Sequence, residues 1–208
     1  MIEIRNLFPT PIGISRLPRD FTPLERNTLM NLKMDNNVHN LVSVNTRVLD
    51  LPELAELRLI VENSLKEYFD TIYKPREGIE IYLTQSWVNY THPGMSHHVH
   101  EHTNSIVSGV LYIQTYGNRD NIRFLRAKYK MIDVPSRELN EFNSRSTQMN
   151  VSTKDLIFFP SDTVHQVGKV VDGTTRVSLA FNSFIKGRIG EAEQMTELYL
   201  GDNLGKSI

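Results

Sequence analysis

Ser96-His97-His98-Val99-His100-Glu101-His102-Thr103-Asn104-Ser105-Ile106-Val107-Ser108-Gly109-Val110-Leu111-Tyr112 places four of the chain's seven histidines within six residues and runs directly into a β-forming segment. On an extended strand alternate side chains share a face, so His98, His100 and His102 should point one way and His97, Val99 and Glu101 the other. The segment does not stand alone. From Gly78 onward, residues 79–90, 105–116, 121–125, 155–160 and 174–185 are β-branched or aromatic and bounded by turn residues. Strands in succession, with no helical spacing between them, predict a mainly β (α+β) fold built on an antiparallel barrel or sandwich.

Upstream of the strands the texture is helical. Thr22-Pro23-Leu24-Glu25 combines a capping hydroxyl, a first-turn proline and a glutamate three residues after the cap, which signals a helix start. Asp50-Leu51-Pro52-Glu53 repeats the signal, and Leu54, Leu57, Val61, Leu65 and Tyr68 then form one apolar stripe suited to a sheet face. Both helices read as buttresses. Residues 3–15, broken by Pro9 and Pro11, read as one or two short strands; residues 136–150 read as a polar loop beside the barrel mouth, and residues 191–208 as a tail with a short helix ending near Gly201. The expected organisation is one domain over 1–208: support over 1–77, barrel over 78–187 and tail over 188–208.

The totals narrow the chemistry. There is no cysteine among 208 residues, which excludes disulfides, thiolate metal sites and cysteine nucleophiles, so any metal must be held by nitrogen and oxygen. With 23 Lys plus Arg against 24 Asp plus Glu, the formal charge is −1, and no global field draws the chain to nucleic acid or to an anionic membrane. Met1-Ile2-Glu3-Ile4-Arg5 places charges where a signal peptide needs apolar residues, and no run approaches a membrane helix, so the expected location is the cytoplasm.

Imidazole suits borderline metals. Two of the even-numbered histidines plus a remote one would give three facial ligands with positions left open, and His165, after Phe158-Phe159-Pro160, is the natural third. Arg176 follows on the next strand; a buried arginine needs an anion, and its planar fork suits a carboxylate. Strand parity allows either His98 with His100 or His100 with His102. No serine sits in a nucleophile-elbow pattern beside Asp162 and His165, and Gly94, Gly109 and Gly117 are too scattered for a phosphate loop. Lys128 and Lys130 around Tyr129, with Arg123 and Arg126, read as a solvated sheet edge.

Residues 100–112 resemble the His-x-His-x-x-Ser-x-x-Ser-Gly-Val-Tyr-Tyr signature of the iron(II)- and 2-oxoglutarate-dependent oxygenases found in bacteria and phages. The likeness extends to Trp87-Val88-Asn89, to Phe159-Pro160-Ser161 with His165, and to Arg176-Val177-Ser178-Leu179-Ala180-Phe181-Asn182. It covers about residues 79–185, with an echo in Leu7-Phe8-Pro9-Thr10-Pro11-Ile12. It implies a double-stranded β-helix, also called a jelly roll or cupin-like barrel, holding Fe(II) on His100, His102 and His165. It further implies that Arg176, helped by Ser178 and Tyr112, holds the distal carboxylate of 2-oxoglutarate, and that Asn89, or else Tyr90, meets its metal-bound end. One departure stands out: most such enzymes carry Asp or Glu where this chain has His102, which leaves the centre one charge unit more positive.

The activity so implied uses O2 and 2-oxoglutarate, releases succinate and carbon dioxide, and hydroxylates a primary substrate that the sequence does not name, whether small molecule, peptide or protein. For a phage chain the location would be the host cytoplasm, and the oligomeric state is left open. Two rival readings use the same residues. One is a cupin-like three-histidine metalloprotein without cosubstrate, a dioxygenase or isomerase; the other is a non-catalytic binding barrel with solvated histidines.

Overall fold

The computed structural model describes residues 1–126, 134–171 and 173–201. The proposed edge at Lys128, Tyr129 and Lys130 lies outside the described residues. In chain order the elements are β1 (Gly13–Arg16), α1 (Pro23–Met30), β2 (Met34–Asn36), β3 (Leu41–Ser43), α2 (Ala55–Tyr73), β4 (Glu80–Thr91), β5 (His97–His100), β6 (Val107–Gln114), β7 (Asn121–Leu125), β8 (Ser146–Asn150), β9 (Asp155–Pro160), β10 (His165–Val167), β11 (Arg176–Ile189) and β12 (Leu198–Leu200).

Two antiparallel sheets result. The larger runs β1-β9-β6-β11-β4-β3-β2, with β12 paired to β11, and the smaller runs β5-β10-β7-β8. From β4 to β11 the chain passes back and forth between them, which is the winding of a double-stranded β-helix. No helix among the described residues is long and apolar enough to cross a membrane.

The strand period decides what each face of the larger sheet does. Val177, Leu179 and Phe181 of β11, Val88 of β4 and Leu111 and Ile113 of β6 point outward, where they are buried with Leu57, Val61, Leu65 and Tyr68 of α2. The alternate residues point inward. Val110, Tyr112 and Ala180 pack with Ile122 and Phe124 of β7 and Phe159 of β9 between the sheets. Both buttressing helices are present, and the apolar stripe of α2 is buried as the spacing predicts. Thr22 caps α1 through a reciprocal capping box with Glu25.

Three expectations need correction. The Asp50-Leu51-Pro52-Glu53 signal opens a short 3-10 turn over Pro52–Leu54, and α2 starts at Ala55 without a side-chain cap. Asp50 instead ends a preceding 3-10 turn and pairs with Arg58. The N-terminal segment forms one strand, β1, after Pro11, within the one or two expected. Residues 146–150 leave the expected loop and form β8, which pairs with β7 from Asn121↔Asn150 to Leu125↔Ser146. The tail folds back as β12 on β11 rather than as a helix, turning at Gly190 and at Met195, both with positive φ.

Candidate metal and cosubstrate site

Register on the larger sheet gathers the polar residues into rows. Ser178 of β11 lies opposite Tyr112 on one side and Asn89 on the other, and Ala180 one step on lies between Val110 and Trp87. Arg176 begins β11 opposite Thr91. Facing this wall, β10 pairs with β5 so that His165 sits across from His100. Between the two sheets lies a cleft with about 380 Å³ of empty space, counted to its open mouth, lined by Asn89, Arg176 and Ser178 together with His97, His100, His102 and His165. Among the described residues its lining contains no carboxylate.

His100, His102 and His165 come together with one ring nitrogen each, all within 4.8 Å of one another. The Nε2 atoms of His102 and His165 stand 3.4 Å apart and their rings are parallel within 8°. Nδ1 of His100 donates to the His98 carbonyl at 2.8 Å, and Nδ1 of His165 donates to the Thr163 carbonyl at 2.9 Å. Each bond fixes the ring and leaves Nε2 as the free donor, the arrangement that orients imidazole ligands generally. His102 follows the end of β5; its backbone N–H donates to the Ser161 carbonyl at 2.9 Å and its ring packs against Trp87. Burial, reinforced by the neighbouring histidines, pushes His165 down to about 3 and His102 to about 4, so these rings are neutral at ordinary pH. Neutral, fixed and convergent imidazoles fit a divalent transition metal.

The second half of the cleft fits an organic acid. Arg176 is 3% exposed. Its Nη1 donates to the Asn121 carbonyl at 3.1 Å, its guanidinium lies over the Tyr112 ring at 5.2 Å, and its Nε has no partner among the described residues. The Tyr112 hydroxyl beside it is fully buried and also lacks a partner of good geometry. Burial raises that phenol above its usual range while Arg176 draws it back, so it stands as a neutral donor. Buried donors without acceptors are costly, and a bound carboxylate would satisfy them. Asn89 is buried and its Oδ1 accepts from Asn40 Nδ2 at 3.2 Å, while Asn40 Oδ1 is left without a partner.

Strand parity misplaces two histidines. The β5–β10 register shifts between His165↔His100 and Val167↔His97, so four residues of β5 oppose three of β10. This bulge brings His97 into the cleft, with its ring stacked on His100 at 4.4 Å, whereas His98 is not part of the lining. His98 groups with His97 and His100 rather than with His165. Asn40 has no sequence signal, because it reaches Asn89 only through the pairing of β3 with β4.

The serines of the signature serve the scaffold. Ser108 Oγ donates to Asn182 Oδ1 at 2.9 Å and meets Ser161 Oγ at 2.8 Å; Ser161 in turn donates to Ser105 Oγ at 2.8 Å, and Ser105 to the Ser183 carbonyl at 3.0 Å. This chain of hydroxyls ties β6, β9 and β11 together beneath His102 and His165.

Fold and site together are those of a double-stranded β-helix whose clustered histidines fit a metal and lie in one cleft with a buried arginine. Residues 85–182 match the family model described as "Putative 2OG-Fe(II) oxygenase". That match takes in the β-helix core from β4 to β11, just under half of the chain, and makes the core similar to the 2-oxoglutarate- and iron(II)-dependent oxygenases. No curated protein matches the chain. Solved structures agree in fold. A 2OG-Fe(II) oxygenase-family oxidoreductase from Burkholderia pseudomallei superposes with a TM-score of 0.55 at 14% identity, over 82% of this chain and 84% of that one. HygX from Streptomyces hygroscopicus, solved with nickel, 2-oxoglutarate and hygromycin B, gives 0.56 at 13% identity over 84% and 82%. A prolyl-4-hydroxylase from Pseudomonas putida gives 0.51 at 14% identity over 83% and 92%.

Proposed function

We propose that His100, His102 and His165 hold iron(II) through Nε2, that Arg176, Ser178 and Tyr112 hold the far carboxylate of 2-oxoglutarate, and that Asn89 steadies its near end. In this reading the chain is one oxygenase domain, with 1–77 as support, 78–187 as the catalytic barrel and 188–208 as a tail. Iron(II) bound there supplies the redox chemistry that couples decarboxylation of 2-oxoglutarate, to succinate and carbon dioxide, to hydroxylation of a substrate C–H bond by O2. The protein's own groups bind and orient. Arg176 neutralises a carboxylate that the apolar cleft would otherwise reject, Tyr112 gives it a hydrogen bond without adding charge, and Val110, Ile122 and Ala180 keep water from the rest of the chain. Trp87, beside His102, is the aromatic wall that a primary substrate would meet. That substrate is a small molecule or an exposed peptide segment entering by the cleft's mouth.

The observation that carries the reading is the buried Arg176 Nε, unpaired among the described residues, in the cleft that three convergent imidazoles also line, with the Tyr112 ring beneath its guanidinium. Arg176→Leu tests it. The variant should keep its metal and lose affinity for 2-oxoglutarate by about 10- to 100-fold, the worth of a charge-assisted hydrogen bond. Calorimetric titration of 2-oxoglutarate into the metal-loaded chain checks this, with succinate release as the companion assay, and an unchanged affinity would remove Arg176 from the role.

A further inference from the structure

A second set of three imidazoles stands next to the first. His97, His98 and His100, all on β5, offer ring nitrogens within 4.8 Å of one another. Their rings form a close group: His97 to His100 at 4.4 Å, His98 to His100 at 5.0 Å and His97 to His98 at 5.1 Å. Nδ1 of His98 is buried and has no hydrogen-bond partner among the described residues. A buried polar atom without a partner is rare and asks for an explanation, and a ligand is one. The bulge opposite β10 is what makes the set, since on a regular strand His97 would face away from His98 and His100.

The two sets share His100. Its Nδ1 is engaged by the His98 carbonyl at 2.8 Å, so one donor, Nε2, serves both. We propose that His97, His98 and His100 form a second seat for one divalent cation of high imidazole affinity, of the zinc, nickel or copper class, and that this seat and the His100-His102-His165 seat exclude each other. Both seats offer three neutral nitrogens without a carboxylate and so favour the later first-row metals over iron(II), which makes such an ion on β5 a competitor for the shared His100. An ion held on β5 withdraws His100 from His102 and His165, so the seat is an inhibitory one that competes with iron loading. The exclusion rests on the iron seat proposed above; the existence of the β5 seat does not.

The test uses the tag-free full chain, stripped with a chelator and titrated with zinc by calorimetry and with cobalt(II) by its visible spectrum. The unmutated chain should take up one ion. The double variant H102A/H165A should still bind one, within about tenfold of the parent affinity because the number of imidazoles is unchanged, and adding H98A should then weaken binding by about a hundredfold. Thermal melts in chelator confirm that each variant is folded, and H102N/H165N replaces the alanine pair if it is not. A folded H102A/H165A chain that binds no zinc overturns the β5 seat, and two ions bound per unmutated chain overturn the exclusion. H97A/H98A separates the two readings: it should bind one ion on the remaining seat, and its failure to do so counts against the iron seat instead.

Discussion

At His102 the proposed centre has an imidazole where related enzymes carry a carboxylate, and the described residues lining the cleft supply no other carboxylate to compensate. Three neutral ligands leave a dication's full charge in place, so the acid beside Arg176 contributes more to neutrality here than in a carboxylate-bearing site. His102→Asp restores an anionic oxygen. It should raise manganese(II) affinity by about tenfold relative to zinc, since carboxylate suits manganese and imidazole suits zinc. Competitive calorimetry reads the ratio; no change in preference would mean that residue 102 is not a ligand. Gly109, in the same signature, is needed for space. A Cβ there would collide with the Phe181 ring and come within 2.9 Å of the Ile157 carbonyl oxygen. Gly109→Ala should therefore cost about 1–3 kcal/mol of stability, the usual penalty for overpacking, as a fall in the thermal midpoint. A midpoint within error of the parent would show that Phe181 can turn aside.

At the level of elements, legibility followed the strength of the local pattern. β7, β9, the apolar stripe of α2 and the cap of α1 could be read directly, because each buries an alternating or helical face or carries a full capping box. β8 could not: Ser146-Thr147-Gln148-Met149-Asn150 has one apolar residue and is a strand because β7 offers it hydrogen bonds, not because it has a face to bury. The β5 bulge left no trace in composition, so His97 was misplaced while His100, His102, His165, Arg176, Ser178, Tyr112 and Asn89 all reached the cleft region. The α1 cap has a further consequence. Glu25 is buried, accepts the Thr22 N–H at 2.8 Å and accepts two bonds from Arg19 at 2.7 and 2.6 Å. Burial works to raise its carboxyl, but the Arg19 and Thr22 bonds outweigh this and hold it below the ordinary 4.5. A depressed folded value means that its stabilisation is fully present above 4.5 and is lost as pH falls through that lower value. Glu25→Gln should be less stable than the parent by about 1–2 kcal/mol at neutral pH, and the gap should narrow as both are taken progressively below pH 4.5. A gap independent of pH would assign the loss to packing alone.

For the molecule as a whole, the larger sheet separates stability from chemistry. Its outer face is buried against α2 and its inner face bears Asn89, Arg176 and Ser178, so the most apolar packing lies on the side away from the site. A ligand that binds only the folded chain stabilises it by mass action, about 2.7 kcal/mol at a hundredfold excess over Kd, which for a chain of this length is about 5–10 °C in the midpoint. Manganese(II), as a redox-inert stand-in for iron(II), should therefore raise the melting temperature, and chelator should reverse the rise. Leu65→Ala removes a buried contact of α2 and should lower the midpoint by about 2–5 kcal/mol through the cavity it leaves. Because Leu65 lies on the opposite face from the histidines, the metal-induced rise should be the same size in that variant as in the parent. His165→Ala should do the reverse, leaving the metal-free midpoint near the parent's and losing the rise. Differential scanning calorimetry of the three chains with manganese and with chelator gives all six values, and a rise that shrinks in Leu65→Ala would show that the outer core holds the metal ligands in place.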